Sequence, residues 1–467
     1  RQPAFDFGKH AVGAVQRALA ESGVPADVLQ VVLSPEGEVG RHLVSHRDVA
    51  RVLLTGSIET AELFSSWRED LDVLAETSGK NAIVVTAAAD LDLAITDVVR
   101  SAFGHAGQKC SAASLLILVG SAGRSERLRR QLADATSSLR VGPADDLATV
   151  VGPLTEPAGG KLLRALTTLD PGESWLVAPR RLDQEGRSWT PGIKYGVAPG
   201  SAFHLTEVFG PVLGVMHAAT LDEAIDLQNA VPFGLTGGLH SLDEREIAHW
   251  LERVEVGNAY VNRGITGAIV RRQPFGGWKA SSVGPGAKAG GPDYVAQLGR
   301  WHDAPSPGGL DSSPSAWLEA ARADDALVWA SELSLGSDPS GLAVEENTFR
   351  YRPVPHLWIR AGADAAPAEL ARVRSAAATV GTAVTLSEAG QESDEAFVER
   401  VRDGRVTGRL RAVGHTAGLR AAAAAAVGSV TLLDGPVLRS ARRELLGVLR
   451  EQAVSRTRHR LGHLPPR

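Results

Sequence analysis

The chain contains one cysteine, Cys110, in a segment whose residue types suit a nucleophile. The surrounding sequence, SAFGHAGQKCSAAS, places this thiol after a helical pattern with glycines and before an apolar run, and its small residues leave room for a substrate. The backbone amides of Gly107 and Gln108 and the cation of Lys109 are expected to lower the pKa of the thiol. A buried, inert cysteine is the alternative, because a lone thiol can neither close an intramolecular disulfide nor hold a structural zinc ion.

A carboxylate suited to general-base catalysis lies upstream of this cysteine. Glu76 belongs to the segment AETSGKN, where a glycine-containing turn is expected. A glutamate in such a position can take a proton from water and activate it. A solvated loop glutamate is the alternative for this segment taken alone.

Two further segments have the composition of a dinucleotide site. Thr55, Gly56 and Ser57 lie between a predicted strand and a predicted helix, where free amides and the helix dipole favour a phosphate. Many strand-to-helix turns have this composition, and the full glycine-rich fingerprint is absent. Glu207 and Phe209 pair a carboxylate for a ribose with a ring for a flat heterocycle, although a strand entering the following Gly-Pro turn explains them about as well.

The elements that must position these residues alternate between strand and helix. Apolar runs predict strands at Val31–Leu33, Val52–Leu54, Asn81–Thr86 and Leu115–Val119, and helical spacing predicts helices between them, including Leu91–Phe103. Such alternation favours a parallel sheet covered by helices, the α/β class.

Composition and charge exclude several classes of protein. The 467 residues are 43% hydrophobic and 22% charged, and no run approaches the ~20 apolar residues of a membrane span. With 49 basic and 54 acidic residues, the formal charge of −5 provides no field for nucleic acid. We expect a cytoplasmic protein. The histidines have no metal-ligand spacing, so no metal is assigned.

Five motifs occur in a fixed order: TGS, ETSGKN, GQKCSA, EVFGPV and PFGG. In this order they resemble the aldehyde dehydrogenase superfamily. The segment GNAYVNRGITGAIVRRQPFGG, together with GPGAKAGGP, is similar to the substrate-anchoring region of its glutamate γ-semialdehyde (Δ1-pyrroline-5-carboxylate) dehydrogenase branch. The resemblance covers residues 1 to about 301.

The resemblance implies NAD-dependent oxidation of L-glutamate γ-semialdehyde to L-glutamate through a thiohemiacetal and a thioester. Cys110 is then the nucleophile and Glu76 the base for deacylation. The implied cofactor contacts are Thr55, Gly56 and Ser57 at the phosphates, Glu207 at the nicotinamide ribose and Phe209 at the nicotinamide. The implied substrate contacts are Ser111 and the amides of Gly267 and Ala268 at the α-carboxylate, Lys109 nearby, and Phe275 and Phe103 beside the aliphatic chain.

The C-terminal third has a separate resemblance. Residues 316–467 look like the C-terminal domain of bifunctional proline utilisation A proteins, which implies a non-catalytic, aldehyde-dehydrogenase-like α/β domain and an upstream proline dehydrogenase partner. The alanine run 421–426 predicts a helix. Residues 439–467 hold eight arginines and two glutamates, and their leucines at helical spacing predict a helix docked on another domain rather than a nucleic-acid site.

We therefore expect half of an NAD-binding domain at 1–82, a catalytic domain at 83–301, a linker at 302–315 and the non-catalytic domain at 316–467. The chain lacks an initiator methionine, since its one methionine is Met216, and lacks the family's oxyanion asparagine and ribose-binding lysine. We expect a fragment of a homo-oligomeric enzyme, with activity reduced by the missing segment. A dehydrogenase for another small semialdehyde and an inactive chain with a structural or oligomerisation role are the alternatives.

Overall fold

The computed structural model describes residues 2–34, 37–304 and 313–459. Residues 305–312 of the predicted linker and the end of the predicted arginine-rich helix, 460–467, lie outside the described residues. The chain divides into two compact units between Val52 and Leu53. No helix among the described residues is long and apolar enough to cross a membrane.

The first unit is helical, with α1 (Gln2–Glu21) and α2 (Glu38–Ser45). The predicted strand at Val31–Leu33 is wrong, because these residues join none of the sheets formed by the described residues. The side chains of Val32 and Leu33 are 62% and 61% exposed. A short apolar run needs a hydrogen-bonded neighbour to form a strand, and composition alone does not supply one.

The second unit begins with the elements that carry the predicted motifs. Up to residue 301 its helices are α3 (Ile58–Trp67), α4 (Leu91–Phe103), α5 (Glu126–Ser137), α6 (Gly160–Thr167), α7 (Ala202–Leu205), α8 (Leu221–Asn229) and α9 (Glu244–Arg253). The strands are β1 (Arg51–Thr55), β2 (Asp72–Glu76), β3 (Asn81–Val85), β4 (Ala113–Val119), β5 (Ser174–Val177), β6 (Gly192–Tyr195), β7 (Val212–Ala218), β8 (Phe233–Gly234), β9 (Thr236–His240), β10 (Asn258–Val261), β11 (Trp278–Lys279) and β12 (Ser282–Val283). The predicted strands at β1, β3 and β4 and the predicted helix α4 are confirmed.

The C-terminal region repeats the alternation of strand and helix. Its helices are α10 (Pro314–Val328), α11 (Pro367–Val380), α12 (Asp394–Arg402), α13 (Leu419–Ala425) and α14 (Ala441–Glu444). Its strands are β13 (Glu345–Pro353), β14 (His356–Ala361), β15 (Ala383–Glu388), β16 (Gly408–Val413), β17 (Val430–Leu433) and β18 (Leu449–Thr457). Strands β15-β14-β16-β17 form a four-stranded parallel sheet. Helix α13 confirms the prediction for the alanine run.

The main sheet has nine strands in the order β13-β18-β10-β9-β3-β4-β7-β6-β5. Its central strands pair in parallel, and every residue of β3 and β9 is buried. A strand that is buried on both faces is commonly a continuous apolar run, as in β3, whereas β9 is buried with the sequence TGGLH. The hydrophobic core packs around them, with Ile83, Leu115 and Phe103 each 0% exposed.

The arginine-rich C-terminal segment forms a strand, and the prediction of one docked helix is wrong. A short helical stretch ends at Val448, and β18 then pairs in parallel with β10 and antiparallel with β13. Strands on both sides satisfy its backbone donors and acceptors, and this tertiary pairing overrides the helical spacing of the leucines. Two strands from beyond residue 301 thus complete the main sheet.

Candidate active site

The thiol of Cys110 lies in a turn between α4 and β4, at the amino end of the buried parallel strands β3, β4 and β9. The turn has a left-handed backbone at three consecutive residues: His105, Ala106 and Gly107, with φ of 57°, 54° and 67°. A left-handed conformation costs a non-glycine residue about 1–2 kcal/mol. At Gly107 a side chain is also excluded, because a Cβ there would lie 2.3 Å from the carbonyl oxygen of Gly210. The close approach explains the glycine and brings the Cys110 turn against the EVFGPV motif.

Asn81 holds the backbone of this turn, and sequence reasoning missed it. Its Nδ2 donates to the carbonyl oxygens of Cys110 at 2.7 Å and Ala112 at 2.9 Å, and its Oδ1 accepts the amide of Thr236 at 3.0 Å. A Cβ at Gly79 would lie 2.8 Å from the carbonyl oxygen of Cys110. Gly79 therefore lets its segment approach the Cys110 turn closely, and Asn81 joins the two by hydrogen bonds. A polar residue opening a buried strand was the available signal.

The environment of the thiol differs from the prediction. Burial raises the pKa of Cys110 to about 11, and the negative charges of Glu76 and Glu207 add to the effect. The amides that bond the sulfur are those of Cys110 itself and Ser111, and they lower its pKa only in part. The expected depression by the preceding amides and by Lys109 is therefore wrong. A thiol in this state needs a base to become a nucleophile.

Glu76 supplies a carboxylate next to this thiol. It is the last residue of β2, and its charge acts directly on Cys110. Its carboxylate has no hydrogen-bond or ion-pair partner within the described ranges. Burial raises the pKa of Glu76 to about 6, and the charge of Lys288 opposes that rise. A carboxylate poised near neutral pH is suited to accept a proton in one step and release it in the next.

Glu207 and Phe209 line a small, open pocket with Gly79, Gly107, Lys109, Gly210 and the residues 112–114. Oε1 of Glu207 accepts the amide of Gly79 at 3.0 Å, and the pKa of Glu207 is raised by burial. Phe209 has φ of 52°, and its ring is 39% exposed. A half-buried carboxylate beside an exposed ring is chemically suited to a ribose joined to a flat heterocycle, and the roles predicted for this pair stay predictions.

The Thr55–Ser57 turn lies between β1 and α3, as predicted, and the amide of Gly56 already donates to the carbonyl oxygen of Glu76 at 3.2 Å. Ser57 caps α3, its Oγ accepting the amide of Thr60 at 3.3 Å. The amide of Ile58 points to Oγ of Ser78 at 3.4 Å, and Ser78 also bonds Glu207. The helix terminus is thus satisfied internally, and Ser78 connects it to Glu207. The Thr55–Ser57 turn is therefore less suited to a phosphate than Glu207 and Phe209 are to a ribose and a flat ring.

The predicted anchoring loop follows β10. Gly267 and Ala268 are exposed, and Gly267 has φ of 85°. Their two amides have no hydrogen-bond partner in the described part of the chain, and the loop is held from behind, since Oη of Tyr260 donates to the carbonyl oxygen of Gly267 at 3.3 Å. Adjacent free amides in a fixed loop suit a carboxylate. Ser111, the third predicted member, is 3% exposed.

The remaining predicted residues differ in their access to the site. Phe275 is half-buried and pairs by backbone hydrogen bonds with Ala289. Lys109 lines the pocket of Glu207 and Phe209. Phe103 is 0% exposed and packs in the main core, at the end of helix α4 that leads into the Cys110 turn. Its predicted contact with a substrate stays a prediction.

Residues from beyond position 301 hold the anchoring loop, and no motif indicated them. The Glu345 carboxylate on β13 lies 2.6 Å from Arg263 and 3.2 Å from Arg272. Nε2 of Gln273 donates to Oδ1 of Asn347 at 2.6 Å, and Oε1 of Gln273 accepts the amide of Ile269 at 3.0 Å. The chemistry-bearing segment is therefore tied to a strand that follows it by more than seventy residues.

The sheet order and the placement of the motifs define the α/β fold of an aldehyde dehydrogenase. The sequence profile of the Aldehyde dehydrogenase family matches residues 9–301, and the chain belongs to that family.

Curated relatives match the same part of the chain. A 1-pyrroline-5-carboxylate dehydrogenase of Geobacillus sp. (strain WCH70) is 35% identical over 286 residues, which cover 59% of this chain and 55% of the relative. One from Bacillus licheniformis is 35% identical over 287 residues, with 60% and 55% covered. The chain thus spans about half the length of the curated relatives it matches.

Solved structures extend the likeness beyond residue 301. Proline utilization A (PutA) from Corynebacterium freiburgense has a TM-score of 0.87 and 49% identity, and the match covers 98% of this chain and 46% of that one. A 1-pyrroline-5-carboxylate dehydrogenase from Thermus with bound NAD has a TM-score of 0.54 and 35% identity, covering 59% and 55%. The C-terminal region is therefore similar to part of a PutA protein, as the sequence predicted.

Proposed function

We propose that this chain carries the NAD-dependent oxidation of L-glutamate γ-semialdehyde to L-glutamate, the second step of proline degradation. The observation that carries the proposal is a thiol beside a poised carboxylate, Cys110 and Glu76. We further propose that the exposed amides of Gly267 and Ala268, which have no partner among the described residues, complete this site. The 1-pyrroline-5-carboxylate dehydrogenases among its relatives support this choice of substrate.

The first step is attack by sulfur on the aldehyde carbon. Glu76 takes the thiol proton, the C–S bond forms, and the carbonyl π electrons move to oxygen, giving a thiohemiacetal oxyanion. Glu76 then releases the thiol proton to solvent, which makes it a base again for the second half of the reaction. Burial raises the pKa of both Glu76 and Cys110, which shows that both groups are poorly solvated. The proton therefore passes between two groups that have little contact with water.

NAD, when bound, accepts the hydride that leaves the reacting carbon as the thioester forms. Glu207 would hold the nicotinamide ribose and Phe209 would pack on the nicotinamide, because the two line one pocket beside the Cys110 turn. Thr55, Gly56 and Ser57 are proposed for the phosphates. The internal partners of that turn make it the weaker part of the cofactor site.

The second half of the reaction releases the product. Glu76 takes a proton from water, the water oxygen bonds to the acyl carbon, and the C–S bond breaks to return the thiolate. The product carboxyl group carries one oxygen from water. Glu76 thus serves as base twice, which requires a carboxylate that gains and loses protons near neutral pH.

Selectivity for the substrate is proposed to come from its α-carboxylate. Ser111 and the amides of Gly267 and Ala268 bind it, Lys109 adds a nearby cation, and Phe275 packs on the aliphatic chain, with Phe103 behind. Hydrogen bonds to a charged group contribute about 1.5–3 kcal/mol each, so an aldehyde without the carboxylate loses transition-state binding. This separates the proposed substrate from other small aldehydes.

The organisation around this chemistry is also proposed. Residues 1–82 belong to the cofactor domain, 83–301 to the catalytic domain, 302–315 to a linker and 316–467 to a non-catalytic domain. A proline dehydrogenase domain upstream, a homo-oligomer and a cytoplasmic location complete the proposal. The likeness to PutA supports the proposal of an upstream proline dehydrogenase domain.

The test is NADH formation by the purified chain with glutamate γ-semialdehyde, with Cys110→Ala as the blank. The proposal expects activity that disappears in the blank and falls at least about tenfold in kcat/KM with propanal. Equal kcat/KM for propanal would remove the anchoring role. A folded chain without activity, even when supplied with the N-terminal segment of a full-length relative, would favour a structural role.

A further inference from the structure

A row of buried polar side chains lies behind the anchoring loop, residues 264–273. Tyr260 on β10, Ser455 on β18 and Asn347 on β13 are register partners across three adjacent strands. Side chains of paired residues project to the same face of a sheet. All three contact the loop, and each is at most 1% exposed. Two of the three strands therefore bring their polar groups to this loop from beyond residue 301.

Gln273, at the end of the loop, connects this row to the loop backbone. It is 3% exposed, and its Nε2 donates to Oδ1 of Asn347 at 2.6 Å and to Oγ of Ser455 at 3.1 Å. Its Oε1 accepts the amide of Ile269 at 3.0 Å. One end of a side-chain amide donates and the other accepts. If the Gln273 amide were turned over, its NH₂ group would face the N–H of Ile269 and this bond would be lost.

The ion pair of Arg263 and Glu345 determines which way the Gln273 amide is turned. A guanidinium can only donate hydrogen bonds, and a carboxylate can only accept them. Nη1 of Arg263 donates to Oγ of Ser455 at 2.6 Å, so the hydroxyl gives its own proton to Oδ1 of Asn347 at 2.7 Å. Oε1 of Glu345 accepts Nδ2 of Asn347 at 3.1 Å, which turns Oδ1 towards Gln273. Both partners of the ion pair therefore require the observed orientation of Gln273.

The free amides of the loop lie between two fixed points. Oη of Tyr260 donates to the carbonyl oxygen of Gly267 at 3.3 Å. The C=O and N–H of a trans peptide point in opposite directions, so this bond turns the N–H of Ala268 away from Tyr260. The bond from Ile269 to Gln273 fixes the next peptide plane. The direction of the loop amides thus depends on Gln273 as well as on Tyr260.

We propose that Gln273 is a positioning residue that sets the selectivity for aldehydes with an α-carboxylate, and that Asn347 and Ser455 hold it in the required orientation. The inference rests on the proposed function for the role of Gly267 and Ala268. Gln273 acts through the loop backbone and is assigned no contact with a reacting atom. The C-terminal strands then take part in substrate recognition, although they supply no group to the thiol chemistry.

The expected loss concerns binding of the carboxylate. Without the bond to Gln273, the loop amides adopt more orientations, and binding must restore the productive one at a cost in affinity. The carboxylate does not react, so the substrate and the transition state lose this interaction equally and the loss appears in KM. Propanal has no carboxylate and does not depend on these amides.

Gln273→Met removes the bonds at both ends of the side chain and keeps its length. Its kcat/KM for glutamate γ-semialdehyde is expected to fall about tenfold, mostly through KM, while kcat/KM for propanal stays within about twofold of the wild type. Asn347→Leu leaves Nε2 of Gln273 with Ser455 alone. It should cause the same selective loss, by about threefold.

Thr348→Val is the matched control. Thr348 follows Asn347 in β13, and successive side chains of a strand point to opposite faces. Its Oγ1 bonds Oε1 of Glu346 at 3.2 Å, so the substitution removes one hydrogen bond from the same strand without touching Gln273. The kinetics with both aldehydes should not change. Circular dichroism confirms that each variant is folded.

A second measurement requires no turnover. L-glutamate, the product of the proposed reaction, keeps the α-carboxylate, so its calorimetric titration into the chain measures the anchor directly. The dissociation constant is expected to rise about tenfold in Gln273→Met and about threefold in Asn347→Leu. In Thr348→Val it should stay at the wild-type value.

Each outcome decides the matter. Equal losses for the two aldehydes overturn the proposal, because they indicate a general packing defect, and so does an unchanged preference in folded Gln273→Met. A loss in Gln273→Met without one in Asn347→Leu overturns the part assigned to the C-terminal strands. Where either variant does not fold, Ser455→Ala, which removes one partner from each of the two residues, must show the selective loss.

The titration separates this inference from the proposed function. A wild-type chain that binds L-glutamate but forms no NADH contradicts the proposed function alone. Weaker L-glutamate binding in Gln273→Met then supports the inference, and unchanged binding overturns it. A wild-type chain that neither binds L-glutamate nor prefers glutamate γ-semialdehyde to propanal overturns it as well.

Discussion

The groups around Cys110 and two buried ion pairs of the C-terminal region treat buried charge in opposite ways. In the C-terminal region, buried arginines meet carboxylates at short range: Arg372 lies 2.6 Å from Asp325, with both side chains 0% exposed, and Arg360 lies 2.7 Å from Asp394. Further donors are used as well, since Nε of Arg372 donates to the carbonyl oxygen of Leu438 at 3.0 Å. In these pairs each buried arginine has a carboxylate as a direct partner.

Around Cys110 the buried titratable groups have few direct partners. Burial raises the pKa of Glu76 to about 6, Cys110 remains a thiol, and among the described residues Nζ of Lys288 bonds only to the neutral groups of Asn258 and Gly276. A saturated ion pair fixes structure but has no capacity to exchange a proton, whereas an under-partnered acid or thiol does. The difference separates a region built for stability from one built for chemistry, although both have strands alternating with helices.

The largest expected effect is on the nucleophile. Cys110→Ala should lower NADH formation by about 10⁴-fold or more, because no other thiol can replace it. The measurement is steady-state NADH formation at saturating substrate. The variant's midpoint of thermal unfolding should remain close to that of the wild type, and residual activity above about one hundredth would argue against Cys110 as the nucleophile.

The second effect concerns stability in the other region. Arg372→Met leaves Asp325 buried and unpaired, and should lower the free energy of unfolding of this region by about 3–5 kcal/mol. Urea unfolding of the C-terminal region measures the loss. Adding Asp325→Leu should recover most of it, because an apolar pair replaces the lone charge. If the single variant were as stable as the wild type, the contrast between the two regions would fail.

The third effect is on the base. Glu76→Gln should lower the rate of NADH formation by about 10²–10³-fold. In the wild type the rate should rise with pH through about 6, as Glu76 loses its proton, and this limb should be absent from the variant. A variant with the same acid limb would show that another group is the base.

The smallest effect is on substrate anchoring. Ser111→Ala removes one donor to the α-carboxylate and should lower kcat/KM for glutamate γ-semialdehyde by about tenfold. Its kcat/KM for propanal should not change, because propanal has no carboxylate to anchor. Equal losses for both aldehydes would instead point to a packing defect at this buried serine.

Much of the fold could be predicted because the patterns of the strands and helix near the site are contained in short stretches of the sequence. The apolar runs at β1, β3 and β4 and the spacing of α4 depend on residues that lie next to one another in the chain. Strand β18 could not be predicted in this way, because its pairing with β10 joins residues almost two hundred positions apart. The strand predicted at Val31–Leu33 was wrong for the converse reason. The local composition is apolar, but no strand among the described residues pairs with this segment.

The candidate site divides along the same line. Residue types and order indicated Cys110, Glu76 and Glu207, because chemistry restricts which side chains can act. The raised pKa of the thiol and the ties from Asn81 and Glu345 depend on burial and on which segments approach, which a motif does not contain. Ser57 shows the limit of motif reasoning, since its hydroxyl caps its own helix.

The most direct test of the account is the intact mass of the Glu76→Gln variant after incubation with NAD and glutamate γ-semialdehyde. At an alkaline pH, where part of the Cys110 thiol ionises without Glu76, loss of the base slows deacylation more than acylation. The account then predicts that the chain gains the mass of one glutamyl group, that the peptide containing Cys110 carries it, and that hydroxylamine releases it. Cys110→Ala should gain nothing. A chain that gains no mass, or one that carries the group on another residue, would contradict the account.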